Sequence, residues 1–336
     1  MRFVLTDILP LVFILVSVLT SKLQRTESEE LISRSNTGIL KGILCLFVMF
    51  CHLSFYVSEG VILPLFFELG YIAVGIFFFF LSGYGLMKQH MRKEDYHKGF
   101  LGRRFVKVLY PYIFVTFVYW LYYLVTDRRI PLPEIFTSIG VGDPIVSYSW
   151  YIVEILIIYL LFYLTILIFR KKYLYVLFGN IVLTVLLIFG FQKLDFRAAW
   201  FSSTYMYAVG ICGALLEKQI VKALNSYPLP FLSFSLFGFL FTFRMEGMNV
   251  IRELCFLIFV MCFLHMFEMK NRFLEFMGKI SMEVYLIHGL IIKAVRFFIS
   301  EQGGLFELSL MSILIILSAY VLKTLFDRFF SLIKKK

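Results

Sequence analysis

Apolar runs of about 18 to 22 residues recur along nearly the whole chain, and they constrain its architecture more than any other feature. A run of that length, at 1.5 Å per helical residue, crosses a hydrocarbon core about 30 Å thick. Eleven segments can be drawn, over 3–21, 38–57, 61–87, 105–126, 150–170, 173–191, 200–216, 229–243, 250–267, 280–299 and 308–327. With no water in a bilayer to satisfy the backbone, runs of this kind must close their hydrogen bonds internally, as helices. The alternating ten-residue strands of a membrane barrel are absent. Composition agrees, since 60% of the 336 residues are hydrophobic and only 16% charged. The reading is an all-α polytopic transmembrane helix bundle. It divides into an extra N-terminal helix and loop (1–35), a ten-helix membrane domain (36–330) and a basic tail (331–336). The apolar run behind Arg2 resembles a signal peptide, but no small-residue cleavage site follows it, so it reads as a retained helix.

A net charge of +11 would suggest nucleic acid in a soluble chain. No nucleic-acid module accompanies it, and basic loops at a membrane set topology instead. Sorting the loops alternately puts 24 of the 33 lysines and arginines on one side and 9 on the other. That bias predicts a multi-pass cell-membrane protein with a cytoplasmic C-terminus and an extracytoplasmic N-terminus. The five cysteines, Cys45, Cys51, Cys212, Cys255 and Cys262, all sit inside apolar runs. None has metal-ligand spacing, so no metal site, disulfide framework or cysteine nucleophile is expected.

Ionisable groups deep in a bilayer are costly, so each one needs a reason. In "LKGILCLFVMFCHLSF" (40–55), Lys41 stands at one helix end and His52 lies about 16 Å further along. Lys41 at the surface can snorkel; His52 in the outer half cannot. His52 is either satisfied by a neighbouring helix or serves as a base in a buried polar cavity. Glu154 and Glu68 match its depth from other helices, and either carboxylate could orient the imidazole. Asp7, Glu253 and Glu283 lie nearer helix ends and are expected to face water or headgroups. His288 falls near mid-membrane, whereas His265, His90 and His97 read as structural or solvated. Arg103, Arg104 and Lys107 open a helix and could clamp a phosphorylated ligand, with Pro111 loosening the run that follows. Ser82, Gly83, Tyr84 and Gly85 are expected to end a helix at the same face. This polar track would suit a phosphorylated donor with proton chemistry at depth, or a proton-coupled transporter or flippase using His52 and Glu154 as a relay.

Five stretches, in order, resemble the acyltransferase 3 family of integral membrane acyltransferases. "LKGILCLFVMFCHL" is similar to its basic-X10-His signature, with Lys41 where arginine is commoner. "VGIFFFFLSGYGL", carrying Ser82 and Tyr84, is similar to its Phe-rich stretch ending in Ser-Gly-aromatic. "RRFVKVLYPY" resembles its Arg-x-x-Arg segment, with Lys107 in the second position. "SWYIVE", with Trp150 and Glu154, and "ISMEVYLIHGLI", with Tyr285 and His288, resemble two later motifs. The resemblance runs from about 36 to 330. It implies transfer of a small acyl group, usually acetyl from acetyl-CoA, to a hydroxyl of a surface glycan, a lipid-linked sugar precursor or another exported molecule. It implies no bound cofactor; acetyl-CoA is a substrate whose phosphates would meet Arg103, Arg104, Lys107 and Lys41. His52, oriented by Glu154 or Glu68, would act as general base, with an acyl-histidine intermediate as a variant. A glycan ligase or polymerase would usually carry a large extracytoplasmic loop, and none here exceeds about 25 residues. Lipid-facing and partner-facing apolar surfaces look alike, so the sequence is silent on oligomeric state.

Overall fold

The computed structural model describes residues 3–334 apart from 26–28, 58, 127–129, 244 and 300–302. The chain begins with α1 (Ile8–Leu19), β1 (Lys22–Arg25), α2 (Arg34–Ser54) and α3 (Leu65–Val74). A π-helical stretch, Gly75–Phe80, joins α3 to α4 (Leu81–Arg92), so the two form one long rod. Then come α5 (Phe100–Val125), α6 (Leu132–Gly140), α7 (Trp150–Phe169), α8 (Tyr173–Lys193), α9 (Tyr205–Leu215) and α10 (Glu217–Ser226). The last third holds α11 (Pro228–Thr242), α12 (Asn249–Met266), β2 (Phe267–Lys270), α13 (Arg272–Lys279), α14 (Ser281–Ile299) and α15 (Leu305–Lys334). The helical bundle is as the sequence predicts.

Seven of the described helical stretches are long and apolar enough to span a membrane: α2, the Leu65–Arg92 rod, α5, α7, α8, α12 and Leu305–Leu332 of α15. An eighth candidate is the pair Ala198–Leu215 and Glu217–Ser226, bent by 78°. Three expected spans differ. The first is only a 15-residue helix, Leu5–Leu19, short of the roughly 20 residues a full span needs. Its polar flanks are used otherwise: Asp7 turns inward, and residues 22–25 become a strand pairing antiparallel with β2, Lys22 opposite Lys270. The α11 helix has 15 residues. The α14 helix carries Glu283, Lys293 and Arg296, and it is buried on all sides from Glu283 to Leu290.

Side chains such as Phe117, Leu186 and Phe237 are exposed and apolar, as lipid contact requires. The interior is knitted by buried amides. Asn36, in the first turn of α2, donates to the carbonyls of Leu264 (2.7 Å) and Phe267 (2.9 Å) and accepts from the Met269 N–H (3.0 Å). Asn271 caps α13 and reaches the Ser17 carbonyl at 2.7 Å, tying α1 to the core. Gly83 and Gly210 let the Leu65–Arg92 rod and α9 touch, since a Cβ on Gly83 would meet the Tyr207 carbonyl and one on Gly210 the Phe80 carbonyl.

Several local expectations need correction. Asp7, Glu253 and Glu283 are buried rather than facing water. Asp7 accepts from the backbone N–H groups of Val4, Val61, Ile62 and Leu63, at 2.8 to 3.1 Å. Glu253 accepts from Ser203 Oγ (2.6 Å) and Tyr205 OH (2.7 Å). His90 is not in a hydrated loop; it is buried on α4 with Nε2 2.9 Å from the Arg170 carbonyl. The helix carrying Ser82 to Gly85 does not end there but runs on to Arg92, so its lysine and arginine extend the basic face. The α5 helix continues through Pro111. Arg2, Arg128, Arg129, Arg244, Lys335 and Lys336, used in sorting the loops, lie outside the described residues.

Candidate active site

Two cavities lie at opposite ends of α2. One, of about 640 Å³, is lined by Lys41; the other, of about 510 Å³, is lined by His52. Both fall in the size range of ligand sites, roughly 300–1,000 Å³. The same polarity repeats on two other elements. Along the Leu65–Arg92 rod, Gly70 and Val74 line the His52 cavity, and Phe78 and Lys88 the basic one. Along α7 the order is Trp150, then Tyr159.

His52 occupies the last turn of α2 and keeps partial exposure. Its ring lies against Tyr148, with centroids 3.9 Å apart, and against His288 at 4.6 Å. Tyr148 holds a left-handed backbone, φ 65°, which costs a non-glycine residue about 1–3 kcal/mol. The Tyr285 hydroxyl donates a short hydrogen bond to the Tyr148 carbonyl and fixes that turn. His288 Nδ1 lies 2.8 Å from the Tyr285 carbonyl and 3.1 Å from that of Val284. Carbonyls only accept, so Nδ1 carries the hydrogen and a neutral His288 presents Nε2 as an acceptor. His288 Nε2 and His52 Nδ1 are both buried without a partner among the described residues. Trp150 and Trp200 complete the wall, and the Asp143–Arg197 ion pair (2.6 Å) sits at the rim.

The expected carboxylate beside His52 is not what the structure provides. Glu154 is fully buried, and its Oε1 accepts from Thr204 Oγ1 at 2.6 Å. Glu68 pairs with Arg252 at 2.9 Å, at the wall of a separate cavity. Neither contacts His52; the rings of Tyr148 and His288 pack against it instead. Equal depth on different helices does not fix azimuth, so neither carboxylate that matches His52 in depth points at it.

At the other end, Lys41, Arg103, Arg104, Lys107, Ser82 and Tyr84 all line one cavity. Arg104 donates to Tyr96 OH (2.7 Å) and lies over the rings of Phe100 and Tyr159. Arg103 donates to the Tyr96 carbonyl at 3.2 Å. Lys41 and Lys107 make no ion pair among the described residues. Sequence reasoning missed Arg34, Lys88 and Arg92, which join the same wall. Lys88 binds Glu217 (2.8 Å) and Tyr84 OH (2.9 Å), and Arg92 binds Glu30 (2.6 Å). Arg92 holds the Glu30 carboxyl below its usual range against the opposing effect of burial, with Lys88 adding to it. The signal for Lys88 and Arg92 was their spacing from Tyr84 on one helix face, i+4 and i+8. Tyr148 had no comparable signal.

The structure is thus a bundle of membrane-length helices with a basic cavity at one end and a histidine cavity at the other. The chain belongs to the family described as "Acyltransferase domain", whose model matches residues 38–326. No curated protein and no solved structure matches the chain.

Proposed function

We propose that the protein transfers an acetyl group from acetyl-CoA to a hydroxyl of a surface glycan, its lipid-linked precursor or another exported molecule. The observation that carries this reading is the placement of Lys41 and His52 at the two ends of one helix, each in its own cavity. The basic cavity would open to the cytoplasm. There Lys41, Arg103, Arg104 and Lys107 would hold the phosphates of coenzyme A, arginine by paired donors and lysine as a point charge. The acceptor would enter the His52 cavity from the opposite side.

His52 acts in this scheme as general base. It takes the proton of the acceptor hydroxyl as the oxygen attacks the thioester carbonyl, and the tetrahedral intermediate then expels the CoA thiolate, which receives that proton from the imidazolium. Tyr148 and His288 hold the ring in place. A deletion strain complemented with wild type, His52→Ala or empty vector tests the scheme. Mass spectrometry of its surface glycans should show a base-labile acetyl increment restored by wild type alone. Identical glycans in all three strains would overturn the glycan acceptor. Proton-gradient-dependent transport with no use of acyl-CoA would replace the enzyme by a transporter.

A further inference from the structure

The two cavities share no lining residue. Between them lie three aromatic side chains from three different helical elements. Phe78, from the π-helical stretch, stacks face to face on Tyr151 with centroids 3.8 Å apart and planes 17° apart. Phe78 and Tyr285 meet edge to face with centroids 4.7 Å apart, and Tyr285 meets Tyr151 at 5.8 Å. Phe78 and Tyr151 face the basic cavity, and Tyr285 faces the His52 cavity. All three are more than nine-tenths buried. The Tyr151 hydroxyl donates to the Phe78 carbonyl at 3.4 Å, and that of Tyr285 to the Tyr148 carbonyl, so both rings are held by backbone partners.

We infer that Phe78, Tyr151 and Tyr285 form an aromatic partition that seals the basic cavity from the His52 cavity, and that Phe78 is its removable element. Two aqueous cavities entering one bundle from opposite ends need such a seal, because a continuous path would leak water and ions. Phe78 is the member whose side chain has no polar anchor, so it can swing while both tyrosines stay bonded. Phe78 also sits in a π-helical turn, a local departure from the α-helix that is frequent at functional sites. Resting on the acyltransferase reading, the partition has a second consequence. The acyl end of the donor must pass it to reach His52, so the ring gap limits the transferred group to a short acyl chain. It also keeps water on the far side away from the thioester.

Cys51 lines the His52 cavity and gives a readout that does not depend on any enzymatic activity. In full-length protein reconstituted in vesicles, with the other four cysteines replaced by alanine, a membrane-impermeant thiol reagent is applied from either side. In wild-type background, Cys51 should be labelled from the His52 side and protected from the basic side. Phe78→Ala should raise labelling from the basic side by at least tenfold, and Phe78→Tyr should preserve the seal. Unchanged protection in Phe78→Ala, or labelling from both sides in the parent, would overturn the partition. Release of CoA from acetyl-, butyryl- and hexanoyl-CoA without acceptor is then compared. Phe78→Ala should hydrolyse all three faster and narrow the gap between them. If the parent consumes no acyl-CoA while the labelling pattern holds, the acyltransferase reading fails and the partition stands. If the parent discriminates by chain length and Phe78→Ala does so equally, the claim that Phe78 sets acyl length is wrong.

Discussion

His288 lies against His52 with ring centroids 4.6 Å apart, while its own Nδ1–H is committed to the carbonyls of Tyr285 and Val284. The second histidine therefore has a fixed tautomer and a fixed plane, and it presents a flat, uncharged face to the first. A neutral ring in that position can steady an imidazolium formed on His52 without competing for its proton.

His288→Phe keeps a ring beside His52 but removes Nε2 and the carbonyl anchor. Turnover is expected to fall by about 10²-fold, the scale set by small misplacements of a reacting group, with donor KM little changed. Steady-state kinetics of purified protein check this; a variant as active as wild type would remove His288 from the site.

Lys107→Ala should weaken acetyl-CoA binding and leave kcat nearly intact, because a phosphate contact made equally in ground and transition states alters KM alone. Lys107→Arg should restore affinity. A fall in kcat at unchanged KM would contradict a donor-binding role.

Glu154 separates a structural from a catalytic carboxylate. Since its partner is Thr204, Glu154→Ala leaves that buried hydroxyl with only its longer, 3.4 Å contact to the Trp200 carbonyl and is expected to cost about 1–3 kcal/mol, seen as a lower thermal unfolding temperature in detergent. Glu154→Gln should retain much of that stability and most of the turnover. Loss of turnover in a stable Glu154→Gln protein would reinstate Glu154 as a partner in the chemistry.

Asp7 accepts from four backbone N–H groups, three of them in the 61–63 turn beside α3. Asp7→Ala strips those partners and should destabilise the protein more than Glu154→Ala, by about 3 kcal/mol or above if each orphaned group costs the usual 1–3. Thermal unfolding of both variants in one detergent makes the comparison. An unchanged midpoint would mean that the Asp7 hydrogen bonds contribute nothing to stability.

What the sequence disclosed and what it withheld follow from distance along the chain. Most spans were legible because length and apolarity are local, and so was the link from Lys41 to His52, which lie on one helix. The grouping of Arg103, Arg104 and Lys107 was legible for the same reason. The strand pair joining residues 22–25 to 267–270 was not, since neither four-residue segment carries a strand pattern of its own. Nor was the burial of Asp7 and Glu253, whose hydrogen-bond donors come from remote turns. Tyr148 owes its role to a left-handed turn that no residue type announced, and Glu154 matched His52 in depth while pointing toward Thr204.

The central claim is that donor binding and chemistry reside at opposite ends of α2. The direct measurement is acetyl-CoA affinity and acceptor-dependent CoA release for purified wild type and His52→Ala, assayed with the acetylated acceptor's unmodified form. The expected result is equal affinity with turnover reduced by about 10² to 10⁴, the usual contribution of a positioned general base. Turnover retained in His52→Ala, or affinity lost with turnover per bound donor unchanged, would contradict it.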